Sequence, residues 1–543
     1  MLNNFMIIKN FFLLFFIVLI LSGSASSQED NSFDVQKYEL DLDLYNCFRE
    51  PISRSFTATE KIGIITNISL DEISLNASNT SLKIESVSGA GVSFSHSNDI
   101  LNIKLDQQYS AGEAVGITIN YSHNNIKDSA FYSYQGMVFT DCEPSKARRW
   151  FPCKDVPNDK ALTSVTASVP SNVLLCSNGS LTDSTVSGDT TVYKWESKYP
   201  VATYLVAVVA SYKFNLDVVN WKRPDGQNME VRFYWQNGET VFNLNNVMSK
   251  IGKMLDLLSK LYGDYPFEKL AFATTNREFE WGGMENQTII TLCPDCWTED
   301  LAIHELAHQW FGDLITPSSW ADIWLNEGFA TYIEAVWYGS QSGDTRYKKL
   351  VRNEAVKYIA GNPGWAVYEK SWDVSSPDSD QLFNTSITYS KSSCLIYMLR
   401  YVIGEKEFDD IINKYATNPD YMYGNINTLE FINFINEKSG TDLNWFFDQW
   451  LYKPGHPVYN NNFSSEETTE GKWKTDYTIN QIQTNNVFYK MPVDLKIVFD
   501  NGKDTTVTLN NDYNLQIFSF DFDYEPKKII FDPENKIILK EVK

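Results

Sequence analysis

The residues with the clearest chemistry are two histidines and a glutamate in the run His304-Glu305-Leu306-Ala307-His308. Residues four apart lie on the same face of an α-helix, so both imidazoles can reach one metal ion. A glutamate directly after the first histidine is typical of the helix that carries zinc ligands and a general base in metalloproteases. The chain has only five histidines, and two of them at this spacing favour a metal site over ordinary surface histidines.

A catalytic zinc ion usually has three protein ligands and one position open to water or substrate. We predict that the third ligand is Glu327, the single acid in the apolar run Trp324-Leu325-Asn326-Glu327-Gly328-Phe329-Ala330. The eighteen residues between His308 and Glu327 suffice for a turn and a second helix. The sequence therefore predicts one zinc ion per chain, held by His304, His308 and Glu327, with Glu305 as general base.

Length and charge limit the class of protein. The chain has 543 residues, which exceeds the size at which one hydrophobic core keeps growing, so several domains are expected. Its net charge of −23 argues against nucleic acid as a partner, because binding to phosphates needs a basic face. The acidic balance is typical of a solvated surface.

The first 27 residues resemble a secretory signal peptide. Lys9 is their only charged residue, and the apolar run at residues 11–21 is too short to span a bilayer comfortably. Small residues at 22–27 suit cleavage by signal peptidase. We expect an exported protein, periplasmic or extracellular, without a membrane span after cleavage. The alternative is an uncleaved N-terminal anchor, which would keep the protein associated with a membrane.

The seven cysteines include one closely spaced pair, Cys293 and Cys296. In an exported protein such a pair fits a tight disulfide, but it also fits a reduced pair. The odd number of cysteines leaves at least one thiol unpaired.

Hydrophobic periodicity divides the chain into three regions. Strict alternation in Leu40-Asp41-Leu42-Asp43-Leu44 indicates a half-buried strand, and similar short runs predict an all-β domain at 28–212. Near residue 240 the period becomes helical, with apolar residues at Val247, Ile251, Leu255, Leu258 and Leu261. Gly263 follows as the expected stop of this helix.

The region at 213–455 is predicted to be mainly helical and to contain the zinc helix, with Thr298 or Asp300 as its N-cap. From residue 456 to 543 the alternation of strands returns. Asn501-Gly502 lies between two alternating runs and predicts a hairpin turn there.

Further motifs accompany the histidine pair in a fixed order along the chain. They are the stretch from Cys142 to Cys153, Gly282-Gly283-Met284-Glu285-Asn286, Tyr389-Ser390-Lys391, and Gln449-Trp450 with Pro454-Gly455. In this combination the chain resembles the gluzincin zinc aminopeptidases, the family of alanyl aminopeptidases and leukotriene hydrolase. The resemblance runs from about residue 33 to the end of the chain.

The resemblance implies a multidomain α+β architecture. The expected order is an N-terminal all-β domain, a thermolysin-like, mainly helical catalytic domain at 213–455, and a small C-terminal β-sandwich at 456–543. Many members add a C-terminal helical domain that caps the active site. Because this chain ends after the predicted sandwich, we expect no cap domain and a more open site.

The resemblance also implies roles for individual residues. Tyr389 would stabilise the oxyanion, and Glu285, supported by Glu143, would bind the free amino group of the substrate. Many relatives have glutamine where this chain has Asp141. If Asp141 faces the same pocket, its charge would favour a basic first residue. The family usually has glycine at the position of Ser392, which predicts a change in the local backbone.

Three neighbouring residues complete the predicted substrate site. Gly282 and Gly283 lack side chains, which permits close approach of another backbone, so a substrate could lie along this strand edge with Met284 beside it. The alternative is an ordinary turn.

The predicted function is a zinc-dependent aminopeptidase that hydrolyses the N-terminal peptide bond of peptides through a zinc-activated water. Its partners would be peptides with a free N-terminus, and the family suggests a monomer. Three alternatives remain: a thermolysin-like endopeptidase, an epoxide hydrolase like leukotriene hydrolase, and a catalytically dead scaffold that binds peptides. Nothing in the sequence favours epoxide hydrolysis, and Glu285 argues against an endopeptidase. A dead scaffold would be indicated by loss of a ligand, the base or Tyr389, and all are present.

Overall fold

The computed structural model describes residues 31–543. The predicted signal peptide at residues 1–27 lies outside this part of the chain. Among the helices at residues 31–543, none is long and apolar enough to cross a bilayer.

The N-terminal region consists of β-strands. They are β1 (Phe33–Asp43), β2 (Thr57–Thr66), β3 (Leu70–Asn76), β4 (Leu82–Gly89), β5 (Gly91–Ser97), β6 (Ile100–Tyr109), β7 (Ala114–His123), β8 (Phe131–Tyr134), β9 (Met137–Thr140), β10 (Lys160–Pro170), β11 (Leu174–Ser177), β12 (Ser180–Ser187), β13 (Thr190–Glu196), β14 (Val201–Ala202) and β15 (Val208–Ser211). The largest sheet has the order β12-β13-β10-β1-β2-β7-β4, with β14 paired to β10. Two smaller sheets have the orders β11-β15-β9-β8 and β3-β6-β5.

The central strand β1 shows why this region is a sheet. Leu40 and Leu42 are buried while Asp41 and Asp43 are exposed, as the alternation in the sequence predicts. The apolar side of β1 therefore faces a core, and the N-terminal β-rich region is confirmed.

The middle region begins as a sheet and continues as helices. Its elements are β16 (Phe214–Lys222), β17 (Asn228–Gln236), α1 (Val241–Tyr262), β18 (Leu270–Thr274), β19 (Gly283–Met284), β20 (Ile289–Leu292), α2 (Glu299–His308), β21 (Thr316–Pro317), α3 (Trp324–Ser342), α4 (Asp344–Gly361), α5 (Ser379–Leu382), a π-helix (Thr385–Lys391), α6 (Ser392–Ile403), α7 (Glu405–Ala416), β22 (Asn425–Ile426), α8 (Thr428–Ser439) and α9 (Asn444–Trp450). The sheet has the order β16-β17-β18-β20-β19.

The structure decides two predictions about the ends of helices. Helix α1 ends at Gly263, whose φ of +91° favours glycine, and the Gly263 N–H donates to the Ser259 carbonyl at 3.1 Å. For the zinc helix α2, the N-cap is Thr298, whose side chain accepts a hydrogen bond from the backbone N–H of Leu301. Asp300 lies in the first turn instead, where its charge complements the helix dipole.

The C-terminal region returns to strands: β23 (Val458–Tyr459), β24 (Asn462–Glu467), β25 (Trp473–Ile479), β26 (Met491–Phe499), β27 (Asp504–Asn511), β28 (Gln516–Phe522), β29 (Pro526–Phe531) and β30 (Glu541–Val542). Two antiparallel sheets have the orders β24-β25-β28 and β27-β26-β29. Asn501-Gly502 lies in the turn between β26 and β27, where the sequence predicts it, and Gly502 has a φ of +79°.

The described residues contain two large hydrophobic clusters. One joins the helices to the C-terminal strands and includes Trp310, Phe329 and Leu495. The other fills the N-terminal sheets and includes Met284 and Trp320 from the middle region. The domain boundaries predicted after residues 212 and 455 stay predictions, since each cluster extends across one of them.

The cysteine pair forms a disulfide between Cys293 and Cys296. The other five cysteines, Cys47, Cys142, Cys153, Cys176 and Cys394, are buried free thiols.

Candidate active site

The three predicted metal ligands converge on one point. Nε2 of His304 lies 3.2 Å from Nε2 of His308. Oε2 of Glu327 lies 3.3 Å from the first of these nitrogens and 3.5 Å from the second. Ligands about 2.0–2.1 Å from a tetrahedral zinc ion are roughly 3.3–3.4 Å apart, so these spacings fit zinc. Helix α2 supplies both histidines and α3 supplies Glu327, as predicted.

The remaining imidazole nitrogens have acceptors. Nδ1 of His304 lies 2.8 Å from Oε1 of Glu334, and Nδ1 of His308 lies 3.2 Å from the carbonyl oxygen of Phe311. With the proton of each neutral ring on Nδ1, both Nε2 atoms are free to act as ligands. A metal ion between these two nitrogens and the Glu327 oxygen would satisfy all three atoms.

The electrostatics of the triad follow from the same proximity. Burial opposes ionisation of Glu327, but His308 and the hydrogen bonds of both histidines lower its pKa to about 2. Burial lowers the pKa of His308, yet the charges of Glu285 and Glu327 raise it to about 9. Protons therefore compete with a metal ion for this site, and metal affinity should fall in acid.

Glu334 is a functional residue that the sequence analysis missed. It lies seven residues after Glu327 on α3, two turns along the same helix face. The sequence pattern that could have identified Glu334 is the pair of acids at this spacing in an otherwise apolar helix. Outer partners of this kind fix the orientation and tautomer of a metal-binding imidazole.

Glu305 lies against the ligands, as its predicted role requires. Its carboxylate is buried, and burial raises the pKa to about 8 although His304 and His308 lower it. A side chain on Gly283 would collide with this carboxylate. In the structure the close neighbour of Gly283 is this side chain, so the approach of a substrate backbone along the strand edge stays a prediction.

Tyr389 also reaches the ligands. Its ring lies 6.1 Å from that of His304, nearly parallel to it. Tyr389 lines the same cavity as the three ligands and Glu305. Burial raises the pKa of Tyr389 well above its usual value, so the hydroxyl stays protonated and can donate a hydrogen bond.

The two predicted amine anchors face the same cavity as the ligands. Oε1 of Glu143 and Oε1 of Glu285 are buried, and within the described chain neither has a hydrogen-bond donor. Buried acceptors are normally satisfied, so these oxygens need donors from outside the chain. An ammonium group supplies three such donors.

Gln309 holds the segment that carries Glu285, and it too was missed. Its side-chain N–H donates to the Glu285 carbonyl at 2.9 Å, and its side-chain oxygen accepts from the Thr288 N–H at 3.0 Å. Because Gln309 directly follows His308, one helix end positions both a metal ligand and an amine anchor. Only the fold shows this link, since Glu285 is distant in sequence.

Of the other predicted substrate residues, two line the cavity and two do not. Gly283 and Met284 line the cavity, whereas Gly282 lies beside it with Leu301 as its neighbour. Asp141 does not line the cavity. It is buried and pairs with Lys146, 3.4 Å away. Asp141 is still close enough to Glu143 to act on it: burial, and then the charges of Glu285, Glu327 and Asp141, raise the pKa of Glu143 well above its usual value.

The cavity over the ligands is small, with a volume of about 50 Å³. Trp281 and Phe383 line it and meet edge to face, with ring centroids 6.1 Å apart. Larger cavities in the described chain, of about 330 and 450 Å³, lie away from these side chains. The convergence of ligands, base and unsatisfied carboxylates therefore locates the site better than cavity size does.

Two sequence models of one peptidase family match the chain. The Peptidase M1 N-terminal domain matches residues 35–205, and the Peptidase family M1 domain matches residues 245–450. Together they cover more than half of the chain, and the second contains the three ligands and Glu305. The chain belongs to the M1 peptidase family.

Curated relatives carry matching names. The chain is 28% identical to Aminopeptidase M1 of Arabidopsis thaliana over 387 residues, which are 68% of this chain and 41% of the relative. It is also 28% identical to Aminopeptidase 2 of Candida albicans over 455 residues, 76% of this chain and 47% of the relative. The chain spans less than half the length of these two relatives.

Solved structures share the fold. An M1 zinc metallopeptidase from Deinococcus radiodurans has a TM-score of 0.68 at 20% identity, covering 78% of this chain and 94% of that protein. Aminopeptidase A of Legionella pneumophila, solved with aspartic acid, has a TM-score of 0.79 at 18% identity, covering 95% of this chain and 60% of its own.

Proposed function

We propose that this M1 family member is a zinc-dependent aminopeptidase that removes the first residue from peptides with a free N-terminus. The observation that carries the proposal is the pair of unsatisfied carboxylate oxygens on Glu143 and Glu285 in the cavity of the zinc ligands. A carboxylate beside the reacting centre fixes the position of a charged amine, and hence which peptide bond reaches the ligands.

The residues present fit a zinc ion, which His304, His308 and Glu327 would hold. When bound there, zinc lowers the pKa of a water molecule and polarises a carbonyl. Glu305 takes a proton from the attacking water and passes it to the leaving nitrogen.

Tyr389 acts on the carbonyl oxygen of the scissile bond. Its protonated hydroxyl donates a hydrogen bond that strengthens as negative charge develops on that oxygen. Because the donor already lies beside the ligands, little reorganisation is needed during the reaction. Glu285 and Glu143 meanwhile hold the ammonium group in place.

The endopeptidase alternative lacks a use for the two unsatisfied oxygens, since an internal peptide bond brings no ammonium group to them. The scaffold alternative is disfavoured because the base, the ligands and Tyr389 are all present. No observation favours epoxide hydrolysis.

Several finer features belong to this proposal. We propose one zinc ion per chain and a C-terminal β-sandwich at 456–543, supported by the two antiparallel sheets of that region. The monomeric state stays a prediction. The preference for a basic first residue also stays a prediction. It would be supported if Asp141→Gln changed the cleavage of arginyl and leucyl substrates unequally.

Export is a proposal that depends on residues 1–27 alone. Sequencing the N-terminus of the protein recovered outside the cytoplasm tests it. A new N-terminus near residue 27 would support cleavage, and an intact chain in the membrane fraction would support the anchor alternative.

The test of activity compares a leucyl chromogenic amide with its N-acetylated form, each with and without a zinc chelator. We expect cleavage of the free-amine substrate alone, loss of that cleavage with the chelator, and recovery when zinc is returned. Acetylation removes the ammonium charge and leaves the scissile bond unchanged, so it isolates the amine anchor. Equal cleavage of both substrates would contradict the aminopeptidase assignment.

A further inference from the structure

Tyr389 lies on an irregular piece of helix. Residues Thr385–Lys391 form a π-helix that runs directly into α6. Such segments are rare, and they occur mostly as single turns at functional sites. Relaxation to regular α-helix would shift the register by one residue and turn a side chain by about 100° around the axis. The direction of Tyr389 therefore depends on whatever holds this segment in place.

The residue after Tyr389 is tied to a neighbouring helix. The Ser390 hydroxyl donates to Oε2 of Glu354 on α4 at 2.8 Å. The other oxygen of Glu354 accepts from Lys357 at 2.8 Å, which fixes the carboxylate. Ser390 is buried, so this hydrogen bond is shielded from water.

The next residue is tied to a different part of the chain. Lys391 is 0% exposed, and its ammonium donates to the Lys453 carbonyl at 3.0 Å. It also lies 5.6 Å from the centre of the Tyr358 ring. Lys453 belongs to the loop that leads from α9 to the C-terminal strands, so Lys391 links the π-helix to that region.

The contacts of Lys391 do not mainly stabilise the fold. Burial lowers the pKa of Lys391 to about 7. Within residues 31–543 its ammonium has a carbonyl partner and no paired carboxylate, and a buried cation in that position costs free energy relative to an apolar side chain of similar length. The position of Lys391 fixes one end of the turn that carries Tyr389.

We propose that Ser390 and Lys391 are positioning residues, which direct the Tyr389 hydroxyl into the active-site cavity by fixing the π-helix to α4 and to the Lys453 loop. This inference rests on the proposed function, because it assigns the two anchors to the reaction step that Tyr389 serves. It makes the loop before the C-terminal strands part of the catalytic apparatus, although that loop does not line the cavity.

The test combines substitutions with and without the tyrosine hydroxyl. Lys391→Met and Ser390→Ala are made in the natural chain and in a Tyr389→Phe chain, and kcat, KM and bound zinc are measured for all. We expect each anchor substitution to lower kcat about tenfold in the natural chain, with KM and zinc content unchanged. In the Tyr389→Phe chain we expect no further loss, because the hydroxyl they position is gone.

Two further variants serve as controls. Ser393→Ala removes a buried hydroxyl from the same stretch, and within the described chain that hydroxyl has no partner, so kcat should stay as it is. Glu354→Gln keeps an acceptor for Ser390 and should retain more activity than Glu354→Ala. Lys391→Met should unfold at a temperature no lower than the natural chain, which separates positioning from loss of fold.

Equal losses in the presence and absence of the tyrosine hydroxyl would overturn the inference, because the anchors would then act independently of Tyr389. So would unchanged kcat in both anchor variants. The proposed function fails by a different result: a natural chain with zinc but no activity, or a Tyr389→Phe chain as active as the natural one.

Discussion

Two buried acids, one in the N-terminal sheet and one among the predicted zinc ligands, have pKa values that are shifted in opposite directions. In the N-terminal sheet, Glu60 is 0% exposed, and within residues 31–543 neither of its oxygens has a hydrogen-bond partner. Burial raises its pKa well above the usual value and so favours the uncharged form. In the active site, Glu327 is almost as buried, at 3% exposure, yet its pKa is lowered to about 2.

The difference lies in the neighbours of each acid. Glu60 lies near Tyr121 and Tyr38, which give it no positive charge. Glu327 lies within 3.5 Å of two imidazoles, and other carboxylates share its cavity. Burial alone therefore does not indicate a site. A site is indicated where buried acids converge with groups that can bind or carry a cation.

The largest difference between the two regions should come from replacing Glu305 in the active site and Glu60 in the N-terminal sheet. We expect Glu305→Gln to lower kcat by about 10²–10⁴-fold with zinc still bound, since it removes proton transfer. Glu60→Gln, a change of the same type in the other region, should leave kcat and KM as they are. Steady-state kinetics with metal analysis check both. Similar losses in the two variants would break the comparison.

The next largest effect concerns two buried tyrosines. Tyr389→Phe should lower kcat by about 10²–10³-fold with little change in KM, because it removes a donor to the developing oxyanion. Tyr121→Phe removes a tyrosine hydroxyl that is buried and has no partner in the described chain, and it should not alter kcat. A Tyr389→Phe enzyme with unchanged kcat would remove Tyr389 from the mechanism.

A smaller effect is expected at the outer partner of the metal site. Glu334→Ala should weaken zinc binding about 10–100-fold, because His304 loses the acceptor at Nδ1 that fixes its ring. Titration with a chelator of known affinity measures this directly. Glu334→Gln keeps an acceptor and should bind zinc more tightly than the alanine variant. Equal affinity in both variants would show that Glu334 does not orient His304.

The smallest effect is on stability and concerns Glu60. Its pKa is higher in the folded chain than in the unfolded chain, so unfolding releases a proton once the pH exceeds about 4.5. The natural chain therefore loses stability relative to Glu60→Gln as the pH rises, by at most about 1.4 kcal/mol per pH unit. Urea unfolding at several pH values between about 5 and 8 checks this. A stability difference that stays constant with pH would contradict it.

Much of the site was predictable because it depends on local periodicity. The spacing of His304 and His308 requires a shared helix face, and the apolar run around Glu327 requires a buried helix that brings an acid inward. Strands such as β1 and the turn at Asn501-Gly502 were likewise encoded in short alternating patterns. Interactions within a few residues of one another determine all of these features.

The remainder depends on contacts between distant parts of the chain. Gln309 positions Glu285, and Lys391 reaches Lys453, through hydrogen bonds that no sequence spacing indicates. Asp141 has a suitable charge and lies near Glu143 in sequence, but its pairing with Lys146 keeps it out of the cavity lining. The π-helix at Thr385–Lys391 has no sequence signature, since tertiary packing selects it over a regular helix.

The small cavity closed by Trp281 and Phe383 has a consequence for other proteins in the same compartment. A space of about 50 Å³ holds only a few water molecules, and carboxylates of Glu143 and Glu285 line it. A surface loop of a folded protein would have to thread two chain segments past these groups, whereas a loose chain end needs to bring only one. Under the proposed function, a cavity of this size would exclude the surface loops of folded proteins and admit frayed chain ends and short peptides.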